Sequence, residues 1–600
     1  MCGIVGFISE KPEEITIQNL LTSVDHRGPD ESGYTIVPFK SKYLHIGSSR
    51  LSITGLEDGK MPLTDEDGNL LVYNGEIYEL EELKRSINLD TPTTSDTRHL
   101  FQFLKQYSPD KISNLNGMFA FAFFNILENN LLLARDRYGI KPLYYGNNER
   151  YSLFFSSEIK PLFKSNILEP EITSQSITNF LMFGGFTSER SLIENIKSVE
   201  PGSYLIYDSN GSISTKTYNN NFHKKNKEKF NTLESVLTTT LEDQLKADVP
   251  VDLLFSGGLD SSILAEITFR KLNKKVNAFT LSYDKTNMDE SRNAENISNN
   301  LGIDIKKINF PVERNEHIID ELLDVIPEPI ADPSIVPTYY LSKEVSKYTK
   351  SVIVGDGADE LFGGYDWYRA TLIKKYMPSE SLLNLLLAIS KPLRTSQNIS
   401  IYEKVKHFKT GFNEQFLIDI LFWQNMTELF DKDSLIEAYS LYLSDLNIVK
   451  KDNDLNNLRQ LDMNNYLYTN ILKKSDIASM LNGLEIRPVY LDNRISNFAM
   501  NIDLNKNVNI KHGKLNLRKY FDTKSLSNKR ILKRGFSHDY DDWTQKIGTP
   551  YVLSFKNEFE FVNNYKKFID DKNSPYLISR YTWTIFVLFK WLEKNNISIS

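Results

Sequence analysis

A glycine-rich loop contains the residues best suited to bind a phosphate. It reads Phe255-Ser256-Gly257-Gly258-Leu259-Asp260-Ser261-Ser262 and lies between an apolar run, which predicts a buried strand, and a segment that predicts a helix. Glycines let the backbone approach an anion, while serine hydroxyls and the helix N-terminus donate hydrogen bonds to it. No Gly-Lys-Ser or Gly-Lys-Thr follows, so the loop is not a Walker motif. An ordinary glycine turn is the alternative interpretation.

A second loop, Gly355-Asp356-Gly357-Ala358-Asp359-Glu360-Leu361-Phe362-Gly363-Gly364-Tyr365, places carboxylates directly after another apolar run. Mg²⁺ prefers carboxylate oxygens together with substrate phosphates to a cage built entirely from protein. We therefore predict that Asp260 and Asp359, one from each loop, hold Mg²⁺ against a nucleotide. The alternative for the second loop is a solvated acidic turn.

The chain has a single cysteine, and it is residue 2. A lone thiol forms no internal disulfide, which predicts a fold that rests on packing in a reducing compartment. If the initiator Met is removed, the α-amine of Cys2, with a pKa of about 8, becomes a base for its own thiol. Cys2 is then a candidate nucleophile, and the alternative is a small buried hydrophobic residue.

Four polar segments accompany Cys2 in the first hundred residues. They are His26-Arg27-Gly28-Pro29-Asp30, Arg50-Leu51-Ser52-Ile53, Asn74-Gly75-Glu76-Ile77-Tyr78 and Ser95-Asp96-Thr97. An Arg and an Asp suit the carboxylate and the ammonium of a free amino acid. Asn74 and the Gly75 amide would form an oxyanion hole for a tetrahedral intermediate. This set of side chains favours the nucleophile interpretation of Cys2.

The elements that position these residues fall into two kinds. Up to about residue 210 the chain has short strand-like runs, which predict stacked antiparallel sheets with a few helices. These runs are Tyr43 to Ile53, Leu70 to Tyr73, Met118 to Asn125, Leu131 to Arg135 and Tyr151 to Ser156. A polar and basic stretch follows, and the chain then alternates strands and helices in the pattern of a parallel sheet. Beyond about Tyr368 we predict mostly helix.

The second half provides specific expectations for this alternation. Leucines repeat every four residues from Leu233 to Leu245, which predicts a helix, and Val249 to Phe255 predicts the buried strand that follows. The remaining predictions are a helix from about Ser262, a strand at Val276 to Ser282, a helix from about Glu290 and a strand at Ser351 to Val354.

Composition excludes several classes of protein. The 600 residues carry a net charge of −7 without a long block of one sign, which gives no reason to expect a nucleic-acid or membrane partner. No apolar run approaches the roughly 18 residues of a membrane span. The first residues are apolar but meet Glu10 and Lys11 early and have no basic leader, so we expect no signal peptide and a cytoplasmic protein.

Three further motifs complete a resemblance that runs along nearly the whole chain. They are Asp136-Arg137-Tyr138-Gly139-Ile140-Lys141-Pro142-Leu143-Tyr144-Tyr145, Ala331-Asp332-Pro333-Ser334-Ile335-Val336-Pro337-Thr338 and Glu485-Ile486-Arg487-Pro488-Val489-Tyr490-Leu491-Asp492. With the segments above, they make the chain similar to the glutamine-hydrolysing asparagine synthetases of the bacterial B type, and the 255–262 loop resembles a PP-loop. The resemblance implies an α/β and α+β protein: residues 1–212 form an αββα N-terminal nucleophile sandwich with class II glutaminase activity, 213–230 a linker, and 231–600 a parallel-sheet ATP pyrophosphatase domain with a helical C-terminal part.

The resemblance also implies roles for single residues. Cys2 would be the nucleophile, Asn74 and Gly75 would bind the oxyanion, and glutamine would be held by Arg50, Asn74, Gly75, Glu76 and Asp96. The ATP site would consist of Phe255, Ser256, Gly257, Gly258, Asp260, Ser261, Leu281, Val354 and Gly355. Asp356 would act as a base, and Lys514 would contact phosphate. The alternative for Lys514 is a solvated lysine on a helix.

The implied reaction makes asparagine from aspartate, ATP and glutamine through β-aspartyl-AMP, with Mg²⁺, and releases AMP, pyrophosphate and glutamate. An apolar tunnel would carry ammonia between the domains, and a homodimer is left open. Leu301-Gly302 is followed by Ile303 where the family often has His, and Val489-Tyr490 replaces a Pro-Phe type pair. A related amidotransferase that acts on another carboxylate, a sugar acid or a specialised metabolite, is therefore the alternative. A glutamine hydrolase without a synthetase and an inactive scaffold are weighed as other classes; the second loop argues against the hydrolase, and Cys2 with Asp260 argues against the scaffold.

Overall fold

A computed structural model describes residues 1–87, 93–186, 189–218, 232–283, 291–374, 454–523, 541–556, 558–570 and 575–599, with isolated positions between 385 and 440. The strands are β1 Cys2–Ser9, β2 Glu31–Phe39, β3 Lys42–Arg50, β4 Leu63–Thr64, β5 Leu70–Ile77, β6 Gly117–Asn125, β7 Asn130–Arg135, β8 Tyr144–Gly146, β9 Leu153–Ser156, β10 Lys197–Ser198, β11 Ser203–Tyr207, β12 Ile213–Thr217, β13 Val251–Leu254, β14 Ala278–Tyr283, β15 Ile305–Phe310, β16 Ser351–Val354 and β17 Glu485–Pro488.

The α-helices are α1 Glu14–Thr22, α2 Leu80–Ser86, α3 Asp96–Gln106, α4 Lys160–Lys164, α5 Ser174–Phe183, α6 Leu233–Gln244, α7 Leu259–Glu266, α8 Ser291–Leu301, α9 Asn315–Val325, α10 Ile335–Val345, α11 Ala358–Phe362, α12 Asp366–Lys374, α13 Leu455–Leu461, α14 Lys473–Met480, α15 Asn493–Met500, α16 Leu504–Asn507, α17 Leu515–Thr523, α18 Asp541–Trp543, α19 Thr549–Ser554, α20 Glu560–Asp570 and α21 Pro575–Asn595. None of the helices within these described ranges is long and apolar enough to cross a membrane.

The N-terminal half consists of two antiparallel sheets with helices on their outer faces. The strand orders are β10-β8-β9-β1-β3-β2 and β12-β11-β7-β6-β5-β4. Alternate residues of β1 point to opposite faces. Ile4 and Ile8 meet the second sheet in a shared core, while Val5 and Phe7 pack with α1. Helix α3 covers the outer face of β5 and β6. The αββα sandwich is therefore confirmed.

The second half is built on a parallel sheet with the order β15-β14-β13-β16-β17. Helices connect its strands, as the predicted alternation of strands and helices requires. Helix α7 begins at Leu259, three residues before the expected Ser262, because Gly258 already occupies the N-cap position. Edge strand β17 comes from a region that we expected to be mostly helical, and it pairs with β16 more than a hundred residues earlier. The parallel α/β architecture with a helical C-terminal part is confirmed.

The predicted linker, residues 213–230, begins with a strand and not with a loop. Residues 213–217, which the sequence assigns to the linker, form β12 and pair along their full length with β11. The strand is exposed, so its polar composition resembles that of a loop. Most of the remaining linker, residues 219–230, lies outside the described residues. The paired part of the N-terminal sheet extends to at least Thr217.

Candidate active sites

The first candidate site is built around Cys2, the first residue of β1. Strand pairing places Cys2 opposite Arg50 of β3, and its side chain is buried. The Cys2 backbone N–H donates to Asn74 Oδ1 at 3.0 Å. Burial raises the pKa of the Cys2 thiol, and the terminal ammonium and the Arg50 guanidinium oppose that rise only in part. The thiol therefore needs a base before it can act as a nucleophile.

Asn74 has a free donor at this point. Its Oδ1 accepts from the Cys2 backbone N–H, whereas its buried Nδ2 has no hydrogen-bond partner among the residues that the structure describes. An unsatisfied buried donor costs about 1–3 kcal/mol, so such a group needs an explanation. The adjacent Gly75 lies so close to the next strand that a Cβ there would stand 2.1 Å from the Met118 carbonyl oxygen. The Asn74 side-chain amide is thus held near Cys2 with a donor to spare, as an oxyanion hole requires.

Arg50 and Asp96 carry opposite charges near the Cys2 thiol. Both act electrostatically on Cys2, Arg50 to lower the pKa of the thiol and Asp96 to raise it. Arg50 donates to Glu31 Oε2 at 2.9 Å, and Asp96 accepts from the Tyr73 hydroxyl at 2.8 Å. Burial raises the pKa of the Asp96 carboxyl. The structure thus brings together the cation and the anion expected to bind an amino acid.

Glu76 follows on the same strand and is buried against the second domain. Thr54 Oγ1 donates to Glu76 at 2.8 Å, and Arg487 Nη2 lies 3.4 Å from its other oxygen. Burial raises the pKa of Glu76 to about 8, and Arg487 opposes the rise. The sequence motif at 485–492 includes Arg487, but local patterns carry no sign that it meets Glu76. We did not predict this contact.

The second candidate site lies at the carboxyl ends of β13, β14 and β16, where parallel α/β sheets bind ligands. The predicted ATP-site residues are collected there: Phe255 directly after β13, Leu281 within β14, and Val354 with Gly355 at the end of β16. Ser256 and Ser261 hydroxyls lie 3.1 Å apart across the loop. Gly257 has a φ of +69°, and a Cβ there would stand 2.4 Å from the Ala294 nitrogen. Glycine is therefore required at that position.

Lys514 joins the two loops. Its Nζ lies 2.7 Å from Asp260 Oδ2 and 2.6 Å from Asp359 Oδ1. It precedes α17 and is only 4% exposed, so the alternative of a solvated helix lysine is wrong. A Cβ at Gly364 would stand 1.9 Å from Asp359 Oδ1, so the backbone packs tightly against this cluster.

The donor set of this cluster fits Mg²⁺. The carboxylates of Asp260 and Asp359 already converge on one cation, the Lys514 ammonium. Mg²⁺ usually takes one or two protein carboxylates and completes its octahedron with substrate phosphates and water. These two carboxylates therefore match what the protein would contribute to a magnesium–nucleotide complex.

Asp356 and Glu360 follow β16 in the same loop. Asp356 Oδ2 accepts from Ser475 Oγ of α14 at 2.8 Å, so the expected base is fixed by a distant helix. Burial raises the pKa of Glu360 to about 7, and the neighbouring Asp359 adds to the rise. Glu360 was not among the predicted site residues, although its position directly after Asp359 was a signal.

Comparisons with known proteins agree with this two-site architecture. Residues 1–219 match the family model of the glutamine amidotransferase domain, and residues 232–552 match that of asparagine synthase. Asparagine synthetase (glutamine-hydrolyzing) 1 of Bacillus subtilis is 30% identical over 84% of this chain and 81% of its own length. Asparagine synthetase (glutamine-hydrolyzing) 3 of the same organism is 26% identical over 84% and 81%, respectively. The amidase chyE of Penicillium rubens is 27% identical over 84% and 82%. The chain therefore belongs to the glutamine-hydrolysing asparagine synthetase family.

Proposed function

We propose that this protein makes asparagine from aspartate, ATP and glutamine through β-aspartyl-AMP and releases AMP, pyrophosphate and glutamate. The observation that carries the proposal is the pairing, in one chain, of a buried thiol beside an unpartnered amide donor with an acidic nucleotide loop at the ends of a parallel sheet. Family membership supports the same pairing of glutaminase and synthetase. Since the lone thiol suits a reducing compartment, the proposed location is the cytoplasm.

The proposed glutaminase reaction uses groups of the first site. With Met1 removed, the free amine of Cys2 takes the thiol proton, and the thiolate attacks the side-chain amide of glutamine. Asn74 Nδ2 and the Gly75 amide then donate to the oxyanion of the tetrahedral intermediate. The Cys2 amine passes that proton to the amide nitrogen, the C–N bond breaks, and NH₃ leaves. A glutamyl thioester remains, and water hydrolyses it to glutamate. Arg50 would bind the carboxylate of glutamine, and Glu76 with Asp96 its ammonium.

The proposed synthetase reaction takes place at the sheet ends. The acceptor carboxylate attacks the α-phosphorus of ATP, pyrophosphate leaves, and an acyl-adenylate remains. Ammonia attacks its carbonyl carbon, Asp356 takes a proton, and AMP leaves with the C–O electron pair. Ser256, Gly257, Gly258, Ser261 and Lys514 would bind the pyrophosphate. Mg²⁺, held by Asp260 and Asp359, would offset the negative charge that develops on the phosphates.

A screen of acceptor carboxylates, scored by pyrophosphate release, tests the proposal. We expect aspartate to support release of pyrophosphate and AMP in the presence of ATP, Mg²⁺ and either glutamine or ammonia. Glutamate and D-aspartate serve as matched acceptors, because they carry the same two carboxylates at a different length or hand. No response to aspartate with a clear response to a sugar acid would overturn aspartate as the acceptor.

Glutamine binding should release a proton from Glu76. Because burial raises the pKa of Glu76 to about 8, this carboxyl is largely neutral at pH 7, where Arg487, Glu485 and Asp96 also face it. An incoming ammonium favours the ionised carboxylate, so binding at pH 7 should release roughly one proton. Calorimetry of glutamine binding to the Cys2→Ala protein, in buffers of different ionisation enthalpy, measures this number.

The matched control for this measurement is Glu76→Gln in the same Cys2→Ala background. We expect it to weaken glutamine binding by at least about tenfold and to remove the proton release. A proton release that Glu76→Gln leaves unchanged would show that another group titrates. Proton release should also fade above about pH 8, where Glu76 is already ionised.

A further inference from the structure

Three consecutive residues of α14 together contact four motifs that the proposed reaction does not fully explain. Lys474, Ser475 and Asp476 are these residues. They connect the Arg27 segment, the Lys141 segment, the Asp332 segment and the Asp356 loop, which lie far apart in sequence. No sequence pattern marked α14 itself. The convergence of these motifs on three adjacent side chains suggests a role for the helix in the reaction.

Asp476 faces the glutaminase site. Its Oδ2 accepts from Arg27 Nη2 at 2.9 Å, and its Oδ1 accepts from Lys141 Nζ at 3.3 Å. Arg27 in turn donates through Nε to the backbone carbonyl of Cys2 at 3.3 Å. Arg27 is fully buried, and Asp476 and Lys141 are nearly so. A single guanidinium therefore connects α14 to the backbone of the candidate nucleophile.

Ser475 and Lys474 face the synthetase site. Ser475 Oγ donates to Asp356 Oδ2 at 2.8 Å, which fixes the proposed base. Lys474 Nζ donates to Asp332 Oδ2 at 2.9 Å and to the Ser334 hydroxyl at 2.8 Å. Burial would raise the pKa of Asp332, but Lys474 holds it at about 2. Ser475 and Lys474 lie one and two residues before Asp476 on the same helix.

The covalent connection makes these contacts interdependent. Neighbouring residues of a helix keep a fixed separation, so a shift of Ser475 displaces Asp476 by a similar distance. The charges around Asp476 resist such a shift, because Asp476 and Glu158 pair with Arg27 and Lys141 in a buried cluster. Buried charges that lose a partner are costly, so this cluster responds to small displacements.

We propose that α14 couples the two sites: Ser475 transmits the position of Asp356 to Asp476, and Asp476 transmits it through Arg27 to Cys2. Ser475, Asp476 and Arg27 are positioning residues in this coupling. Binding of ATP and acceptor beside Asp356 then favours the arrangement of Cys2 that attacks glutamine. The inference rests on the proposed function and adds to it how glutamine use is matched to adenylate formation.

The test compares glutamate release with pyrophosphate release in the full-length enzyme. For the native protein, ATP and aspartate should raise kcat/KM for glutamine by at least about fivefold, a typical lower bound for coupling between sites. In Ser475→Ala, glutamine hydrolysis without ATP should stay at the native rate, while the stimulation falls to less than about twofold. The variant should therefore release more glutamate per pyrophosphate than the native enzyme.

Two further variants sharpen the test. Ser479→Ala is the matched control, because that hydroxyl lies on the same helix and, within the described part of the chain, donates to the Asp476 backbone carbonyl and not to a side chain of either site. It should keep the native stimulation. Asp476→Asn breaks the other half of the connection and should lose stimulation as Ser475→Ala does. If thermal unfolding shows that Asp476→Asn does not fold, the comparison of Ser475→Ala with Ser479→Ala still tests whether α14 couples the two sites.

The outcomes separate this inference from the proposed function. Stimulation that survives in Ser475→Ala, or a native enzyme that releases pyrophosphate while its glutamine hydrolysis ignores ATP and aspartate, overturns the coupling role and leaves the proposed function intact. A native enzyme that releases no pyrophosphate with any acceptor overturns the proposed function, and the coupling role with it.

Discussion

Cys2→Ala is expected to abolish glutamate release from glutamine, with a loss of at least about 10³-fold, while pyrophosphate release supported by ammonia continues. The thiol is the only sulfhydryl in the chain, so no other cysteine can replace it. It lies at the junction of Asn74 and Arg50, where the proposed oxyanion hole and the carboxylate-binding group meet. Alanine removes the sulfur without adding bulk, and β1 keeps its pairing with β3.

The measurement uses two assays on the same preparation. Glutamate release reports the first site, and ammonia-dependent pyrophosphate release reports the second, so the variant contains its own folding control. Mass spectrometry of the native protein should find Met1 removed, since the base in the proposed mechanism is the free amine of Cys2. Continued glutamate formation in Cys2→Ala would contradict Cys2 as the nucleophile.

Elements with a strong local pattern were predictable from sequence. The apolar run of β16 and the leucine repeat of α6 predicted bounds that agree closely with the structure. A continuous apolar run is typical of a strand buried on both faces, and a repeat every four residues is typical of a helix buried on one face. The glycine-rich loop was recognisable for a related reason. Its glycines are required by contacts with nearby backbone, as at Gly257 beside Ala294.

Contacts between distant segments were not predictable in this way. The approach of Arg487 to Glu76 and the junction of Lys514 with both loops depend on tertiary packing. Strand β17 is four residues long and has no alternation to mark it, so its place in the sheet follows from pairing with β16. The chemical groups of both candidate sites could therefore be proposed from the sequence, whereas the contacts between distant groups required the structure.

Asp260→Asn is expected to lower pyrophosphate release by at least about 100-fold at any acceptor concentration, with glutamine hydrolysis in the absence of ATP unchanged. Asp260 and Asp359 give the cluster two negative charges against the single charge of Lys514. Asparagine keeps the shape but removes one charge, so the cluster becomes neutral and loses its attraction for Mg²⁺. Lys514 retains Asp359 as a partner, and the fold should therefore persist.

Pyrophosphate release measured against Mg²⁺ concentration checks this explanation. The variant should need more Mg²⁺ than the native enzyme for half-maximal release, because one of the two proposed carboxylate ligands is gone. Asp304→Asn is the charge-matched control, since Asp304 is an exposed carboxylate of the same domain and should leave the Mg²⁺ dependence at the native value. If Asp260→Asn loses activity without any change in Mg²⁺ dependence, Asp260 positions Lys514 for the phosphates and does not bind the metal. Native pyrophosphate release from Asp260→Asn would show that the reaction does not depend on the Asp260 carboxylate, although Asp260 pairs with Lys514 across from Asp359.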